Sequence, residues 1–332
     1  MGNREWGIVI RLKANLKTTP YSLFPTPQIN MPNSYFSPET ISRIARLQVR
    51  ARYVVEGFLS GQHRSPFFGS SVDFKQHRQY VPGDDLRNLD WKVLAKQDKF
   101  YIKQYEAQTN LNAALIVDSS NSMNYQGAKS AMNKYDYACT AAVSLGHLLL
   151  RQSDAVGCAR FNADIDSLIP QHSQGNQLDT ICAMLEEGQP IKRGKAAMSE
   201  QDSQFWPKPV FSRLAQTYSR KGMFFIFSDL FVNRDDLFEG IKALRARGSD
   251  VVIFHILDDD EMDFEFSGPT RFEGLEMPQT LRCNPRALRD GYIEALNDYL
   301  KEVAKGCAAN QVQYNLVKTS TPLDAVLAKA LQ

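Results

Sequence analysis

LNAALIVDSSNSM, residues 111–123, joins an apolar run to a group of short polar side chains. The apolar part, residues 111–117, is typical of a β-strand that is covered on both faces. The polar part contains the spacing Asp118-x-Ser120-x-Ser122, which can turn alternate side chains toward one point. Because ligands of open α/β sheets bind beyond the carboxyl ends of the strands, this junction is the first candidate site in the chain.

Strands and helices alternate on the carboxyl side of this junction. The further predicted strands are Ala155–Phe161, Ile165–Pro170, Met223–Ser228, Val251–Leu257 and Val312–Val317. The predicted helices are Lys134–Gln152, Gln177–Glu187, Lys208–Arg220, Asp235–Arg247, Arg286–Ala308 and one that opens at Thr321 with a pattern like a capping box. Such alternation predicts an α/β fold with a doubly wound, mostly parallel sheet and helices on both faces.

The residues before this region differ in character. Residues 1–36 contain Pro20, Pro25, Pro27 and Pro32, a spacing that excludes a helix and predicts an extended leader. Residues 37–105 predict an amphipathic helix over about 39–60, followed by a small β-rich segment. The sequence therefore predicts three parts: the leader 1–36, the N-terminal segment 37–105 and the α/β domain 106–332.

Oxygen-bearing side chains also follow a second predicted strand, at Ser228 and Asp229. Hydroxyl and carboxylate oxygens are the ligands that Mg²⁺ and Mn²⁺ prefer. Asp118, Ser120, Ser122 and Asp229 are therefore candidate metal ligands. The residues alone leave a second interpretation open, since Ser and Asp after a strand commonly cap the next helix or close a turn.

Two further clusters of charged residues are not expected to take part in binding. In the first, Asp84, Asp85 and Asp90 would accept backbone hydrogen bonds while Arg87 is paired and Trp91 is buried. The second is the acidic run Asp258–Asp263, which also follows a predicted strand and is expected to be a solvated loop.

The Asp118-x-Ser120-x-Ser122 spacing resembles the metal-ion-dependent adhesion site of von Willebrand factor A domains. More closely, the chain resembles the bacterial family called domain of unknown function 58. The most specific matching segment is Arg78–Trp91, which reads RQYVPGDDLRNLDW. The others include Tyr101–Lys103, Asp118–Met123, Ser228–Leu230, Leu257–Glu261 and Tyr314–Leu323. The resemblance covers roughly residues 37–332.

This resemblance implies a von Willebrand factor A-like domain preceded by a helix and a small β-rich segment. It also implies a non-enzymatic, metal-assisted protein-binding module, accessory to a MoxR-type AAA+ ATPase in protein assembly or activation. In such a site Ser120 and Ser122 would contact Mg²⁺ or Mn²⁺ directly, and Asp118 and Asp229 would hold metal-bound waters.

The chain departs from the family pattern in one loop, residues 171–177, which read QHSQGNQ and lack the expected threonine. Ser173 and Asn176 are the candidate replacements. If the site is instead inactive, the chain is a metal-independent scaffold. Its partner would then contact the Arg78–Trp91 segment or the basic face of the predicted helix, which carries Arg43, Arg46 and Arg50.

A phosphotransferase or hydrolase that uses Asp118 is the third hypothesis. Enzymes of the haloacid dehalogenase type need a second Asp two residues further on, and Ser120 cannot act as a general acid there at neutral pH. The sequence also lacks a dinucleotide fingerprint, a P-loop and a G-x-S-x-G elbow. We therefore expect no enzymatic activity.

Composition and cysteine usage favour a protein of the cytoplasm. The net charge is +2, and the five cysteines form no C-x-x-C pair. The sequence contains no apolar run of membrane-spanning length and no signal peptide. The predicted partner is accordingly another protein, with neither nucleic acid nor a membrane span.

Overall fold

The computed structural model describes residues 37–61, 74–80, 93, 100–105, 111–188, 207–266, 270–273 and 280–331. The chain divides into two units, one made of residues 1–60 and 111–332 and the other of residues 61–110. The predicted leader 1–36 and residues 81–92 lie outside the described residues. The interpretations of Asp84, Asp85, Arg87, Asp90 and Trp91 therefore stay predictions.

Two helices open the described chain where a single helix was predicted. Helix α1 spans Pro38–Ser42 and α2 spans Leu47–Gly61. The guanidinium of Arg50 donates to the backbone oxygens of Ile44 and Ala45 at 2.6 and 3.2 Å, which satisfies carbonyls between the two helices. Part of the predicted basic face thus has a structural role.

Helix α2 belongs to the larger unit. The sequence-based prediction instead placed this helix with the small β-rich segment, as one part spanning residues 37–105. The buried residues of α2 join the main hydrophobic core: Leu47, Ala51, Val54, Val55 and Phe58. The physical reason is that an amphipathic helix must bury its apolar stripe, and the large α/β sheet offers a wide apolar face. In the smaller unit, β1 (Phe74–Gln79) pairs antiparallel with β2 (Tyr101–Tyr105).

A six-stranded sheet forms the centre of the larger unit. Its strands are β3 (Asn112–Asp118), β4 (Ala155–Phe161), β5 (Ile165–His172), β6 (Met223–Ser228), β7 (Asp250–Leu257) and β10 (Gln313–Lys318). The spatial order is β10-β7-β6-β3-β4-β5, and only β5 runs antiparallel to its neighbour. The predicted doubly wound, mostly parallel sheet is confirmed.

Helices cover both faces of this sheet. They are α3 (Lys134–Arg151), α4 (Gln177–Glu187), α5 (Pro207–Thr217), α6 (Arg234–Arg245), α7 (Asp259–Asp263), α8 (Pro285–Ala309) and α9 (Leu323–Ala330). Alternate residues of β3 pack into different cores: Leu115 and Val117 join the core that includes α3, and Ile116 joins the core that includes α5 and α6. This two-sided burial explains the apolar run that ends at Asp118.

The remaining elements lie near the C-terminus of the chain. A hairpin of β8 (Thr270–Glu273) and β9 (Thr280–Cys283) is antiparallel. The predicted capping box at the start of α9 is wrong, because Pro322 is the N-cap residue and supplies no side-chain oxygen. Thr321 instead accepts a hydrogen bond from the backbone N–H of Lys318 at 3.2 Å. Within the described ranges, no helix combines the length and the apolar character that crossing a bilayer requires.

Candidate functional site

Three loops meet at the carboxyl edge of the sheet. Strands β3, β6 and β7 are parallel neighbours, so Asp118, Ser228 and Leu257 end their strands side by side. Acidic or hydroxyl side chains lie at the end of each strand or directly after it. Because the three strand ends are neighbours, these side chains lie close together although they are far apart in the sequence. This is the edge at which open α/β sheets bind ligands.

Asp118 is the centre of the site and is completely buried. Its Oδ1 accepts a hydrogen bond from the backbone N–H of Ser120 at 2.8 Å, and its Oδ2 accepts one from the hydroxyl of Ser228 at 2.6 Å. Burial first, and the neighbouring carboxylate of Asp229 second, together raise the pKa of Asp118 to about 7. The two predicted acidic residues are thus close enough to repel each other.

The two serine hydroxyls of the pattern face each other beside Asp118. Ser120 Oγ and Ser122 Oγ are 2.7 Å apart and both side chains are buried. A short 3-10 helix, Asn121–Asn124, turns the backbone so that alternate residues converge. Ser119 points the other way, since its hydroxyl donates to the backbone oxygen of Phe161 at 2.8 Å. The hydroxyls of Ser120 and Ser122 therefore lie together, whereas the hydroxyl of Ser119 is directed away from them.

The loop after β6 is held by a strained residue. Leu230 has a φ of +50°, in the left-handed region that non-glycine residues rarely adopt. Its backbone N–H donates to Ser228 Oγ at 3.0 Å, while the same hydroxyl donates to Asp118. The left-handed backbone thus orients the hydroxyl that connects the β6 loop to the β3 loop.

Lys134 is the residue that the sequence-based prediction missed. Its ammonium is completely buried and contacts Asp229 Oδ2 at 2.9 Å and Glu261 Oε1 at 2.8 Å. It also lies over the ring of Phe231, 5.3 Å from the centroid. One signal was available in the sequence: a lysine opens a helix whose interior is strongly apolar, although the helix dipole disfavours a cation at that end.

The acidic residues after β7 are anchors, so the prediction that they form a solvated loop was wrong. The fully buried Asp258 accepts hydrogen bonds at Oδ2 from the Gly127 N–H (3.1 Å) and from the hydroxyls of Ser130 (2.6 Å) and Thr319 (3.1 Å). Asp260 accepts one from the Ala128 N–H at 2.8 Å. A Cβ at position 127 would lie 2.1 Å from Asp258 Oδ1, and this close approach requires glycine.

The candidate replacements for the missing threonine lie at the wrong edge of the sheet. Because β5 runs antiparallel, its end at His172 pairs with Val156 near the start of β4. Ser173 and Asn176 follow and are exposed there, on the side opposite Asp118. Gln177, the next residue, donates its amide to the backbone oxygen of Val156 at 2.7 Å. Neither candidate can contact an ion beside Asp118.

The oxygen-bearing side chains at these strand ends suit a hard cation such as Mg²⁺, although they do not fill all of its ligand positions. Asp118, Asp229, Ser120 and Ser122 offer oxygen only, and because burial and the Asp229 carboxylate raise the pKa of Asp118, a nearby cation would stabilise its ionised form. Among the described residues, no three His, Cys, Asp or Glu side chains form a group that could hold a metal ion. Any ion would therefore depend on the serine hydroxyls and on water.

The strand order and the helices on both faces of the sheet define an α/β protein with a mostly parallel six-stranded sheet, which agrees with the expected von Willebrand factor A-like fold. The profile of the family described as "Protein of unknown function DUF58" matches residues 76–301. The chain belongs to this family.

Three relatives are uncharacterized proteins, Mb1516 of Mycobacterium bovis and MT1527 and Rv1480 of Mycobacterium tuberculosis. Each is 26% identical to this chain over 282 residues, which are 82% of this chain and 83% of the relative.

Two solved structures share a more distant similarity. One is the conserved hypothetical protein BatB from Bacteroides thetaiotaomicron, with 15% identity, a TM-score of 0.42 and coverage of 67% of this chain and 97% of that chain. The other is an aerotolerance-related membrane protein from Bacteroides fragilis carrying multiple mutations to serines. It has 17% identity, a TM-score of 0.40 and coverage of 66% and 97%.

Proposed function

We propose that the protein is a non-enzymatic, cytoplasmic protein-binding module whose binding surface is the carboxyl edge of the β3–β6–β7 sheet. The observation that carries the proposal is the convergence of two strand ends, where Ser228 donates to Asp118 at 2.6 Å and where burial, with the Asp229 carboxylate, raises the pKa of Asp118. Buried oxygen atoms with an excess of negative charge favour a cation as their counterpart.

The ion that fits this donor set is Mg²⁺ or Mn²⁺. Ser120 and Ser122 would contact it directly, and Asp118 and Asp229 would hold its waters. With few carboxylates bound directly, such an ion keeps net positive charge and supplies a Lewis-acidic position for a carboxylate of the partner. The chain's own contribution is to hold the two hydroxyls 2.7 Å apart, through the 3-10 turn and the backbone N–H of Ser120.

Binding is favoured over catalysis at this site. A phosphotransferase that uses Asp118 would need a general acid, and the side chain two residues further on is the serine hydroxyl of Ser120. The buried hydroxyls of Ser120 and Ser228 beside Asp118 do not ionise at neutral pH. The acidic neighbour of Asp118, Asp229, is paired with the Lys134 ammonium. The proposed partner is a MoxR-type AAA+ ATPase, and this part of the proposal rests on the family alone.

A metal-independent scaffold is the second candidate, and one specific observation favours it. Asp229 already has a cation, because the Lys134 ammonium lies 2.9 Å from its Oδ2 and both groups are buried. In that case the partner would contact surface residues of the same unit, such as the exposed Arg43 and Arg46.

The deciding experiment measures Mn²⁺ binding and partner binding in the same variants. Asp118→Ala and Ser122→Ala should weaken Mn²⁺ binding by at least about tenfold. They should weaken binding to the purified MoxR-type ATPase of the same organism in parallel, and EDTA should mimic both. Ser119→Ala is the matched control, since this hydroxyl faces Phe161. If partner affinity stays unchanged in Asp118→Ala and falls when Arg43 and Arg46 are reversed in charge, the scaffold is the better account.

A further inference from the structure

Lys134 occupies a position where a lysine is costly. It is the first residue of α3, immediately after the N-cap Asn133, so its charge meets the positive end of the helix dipole. Its side chain is completely buried, and removing an ammonium from water is strongly unfavourable unless carboxylates compensate. A charge that is kept at such a place is held there by specific partners.

Those partners come from two different strand ends. Asp229 follows β6 and Glu261 lies in α7 after β7, and each places one oxygen within 3 Å of the Lys134 ammonium, at 2.9 and 2.8 Å. The other oxygen of Glu261 accepts the backbone N–H of Asp258 at 2.8 Å, within the capping box of α7. Lys134 thus connects the start of α3, the β6 loop and the β7 loop through one buried ion triad.

This ammonium competes with any divalent cation for Asp229. The Oδ2 atom of Asp229 is already paired, and a second cation beside it would be repelled by the buried charge of Lys134 at low dielectric. We propose that Lys134 is a tethered cation that keeps the site assembled when no metal is bound and lowers its affinity for divalent ions. This inference rests on the proposed location of the metal site, and it assigns to Lys134 a positioning role and control of ion affinity.

The test is a charge-balanced double variant, Lys134→Met with Glu261→Gln. It removes one positive and one negative charge, keeps the buried volumes similar and takes the Lys134 ammonium away from Asp229. We expect its affinity for Mn²⁺, measured by isothermal titration calorimetry with the metal alone, to exceed that of the wild type by at least about tenfold. A merely structural lysine would give weaker or equal binding, because its loss would only loosen the site.

Thermal unfolding gives the second readout. The melting temperature of the wild type should differ by less than about 3 °C between EDTA and millimolar Mn²⁺, whereas Mn²⁺ should raise that of the double variant by more than about 5 °C. Lys129→Met is the matched control. Lys129 lies five residues before Lys134, but it is exposed and pairs with Glu265 at the surface. The control should behave as the wild type does.

The possible outcomes separate this inference from the proposed function. If the wild type binds no Mn²⁺ while the double variant does, the metal-assisted function fails and the tethered-cation role of Lys134 stands. A double variant that folds only when Mn²⁺ is present supports the role too. Mn²⁺ affinity in the double variant equal to or below that of the wild type overturns it, and so does a variant that folds in neither buffer.

Discussion

Asp118 and Asp258 both lie at the carboxyl edge of the same sheet, one at the end of β3 and the other directly after β7, and both are completely buried. Their surroundings differ. Asp258 accepts hydrogen bonds from two hydroxyls and from the backbone N–H groups of Gly127 and Asp260. Asp118 accepts hydrogen bonds from the Ser228 hydroxyl and from the backbone N–H and hydroxyl of Ser120, and its pKa is raised by burial first and by the carboxylate of Asp229 second.

This difference separates a structural acid from a candidate functional acid. A buried carboxylate with many donors fixes the loops that supply those donors, and here Asp258 fixes residues 127–130 and Thr319. A buried carboxylate whose pKa stays raised by burial and by a like charge nearby, despite its hydrogen bonds, needs a proton, a cation or a partner group. The comparison predicts how strongly each acid contributes to the free energy of unfolding.

The largest effect is expected for Asp258→Asn. An amide has one acceptor oxygen where the carboxylate has two, so either the Asp260 N–H at Oδ1 or the buried donors of the 127–130 loop at Oδ2 lose their acceptor and face an NH₂ group. We expect a loss of about 4 kcal/mol in the free energy of unfolding, measured by urea denaturation. Asp298→Asn is the control, since that carboxylate is exposed and should change stability by less than about 0.5 kcal/mol. A loss below about 1 kcal/mol for Asp258→Asn would show that Asp258 is not the structural acid that the comparison with Asp118 assumes.

A medium effect is expected at His255, a fully buried residue of β7 whose Nδ1 lies 2.7 Å from the Tyr314 hydroxyl. Burial lowers its pKa to about 4. The unfolded chain keeps a value near 6.5, so it takes up a proton as the pH falls below 6.5 while the native state stays neutral. Stability contributed by the neutral imidazole is therefore lost as the pH falls from about 6.5 toward 4.

This histidine should account for a loss of about 2 kcal/mol between pH 8 and pH 5. The measurement is the free energy of unfolding of the wild type and of His255→Gln at both pH values, and the glutamine variant should lack that part of the loss. The exposed His172→Gln serves as the control and should follow the wild type. Parallel pH profiles for the wild type and His255→Gln would show that burial alone does not penalise the charged imidazole.

The smallest effect is expected for Asp118→Asn, measured in EDTA at pH 8. The amide keeps an acceptor for the Ser120 N–H and weakens the contact with the Ser228 hydroxyl, but it also removes the repulsion with Asp229. These contributions oppose each other, so we expect a change within about 1 kcal/mol in the free energy of unfolding. A loss comparable with that of Asp258→Asn would mean that Asp118 is as structural as Asp258, which contradicts the comparison.

Local sequence patterns were sufficient for the sheet and for half of the candidate site. The apolar run before Asp118 is buried on both faces as predicted, and Ser120 and Ser122 face each other because alternate residues of a tight turn converge. The prediction that Ser173 or Asn176 replaces the threonine is wrong, because local sequence does not reveal the direction of β5. Pairing of His172 with Val156 places them at the opposite edge.

The alternation of strands and helices can be read from local sequence, since the period of apolar residues reflects which faces each element must bury. Local sequence also places Asp118 and Asp229 at strand ends. The pairing of Lys134 with Asp229 and Glu261, and the anchoring role of Asp258, follow only from the folded arrangement of distant segments. The reason is physical: the energy of a buried charge depends on which distant groups surround it, and those groups are 95 and 127 residues away along the chain.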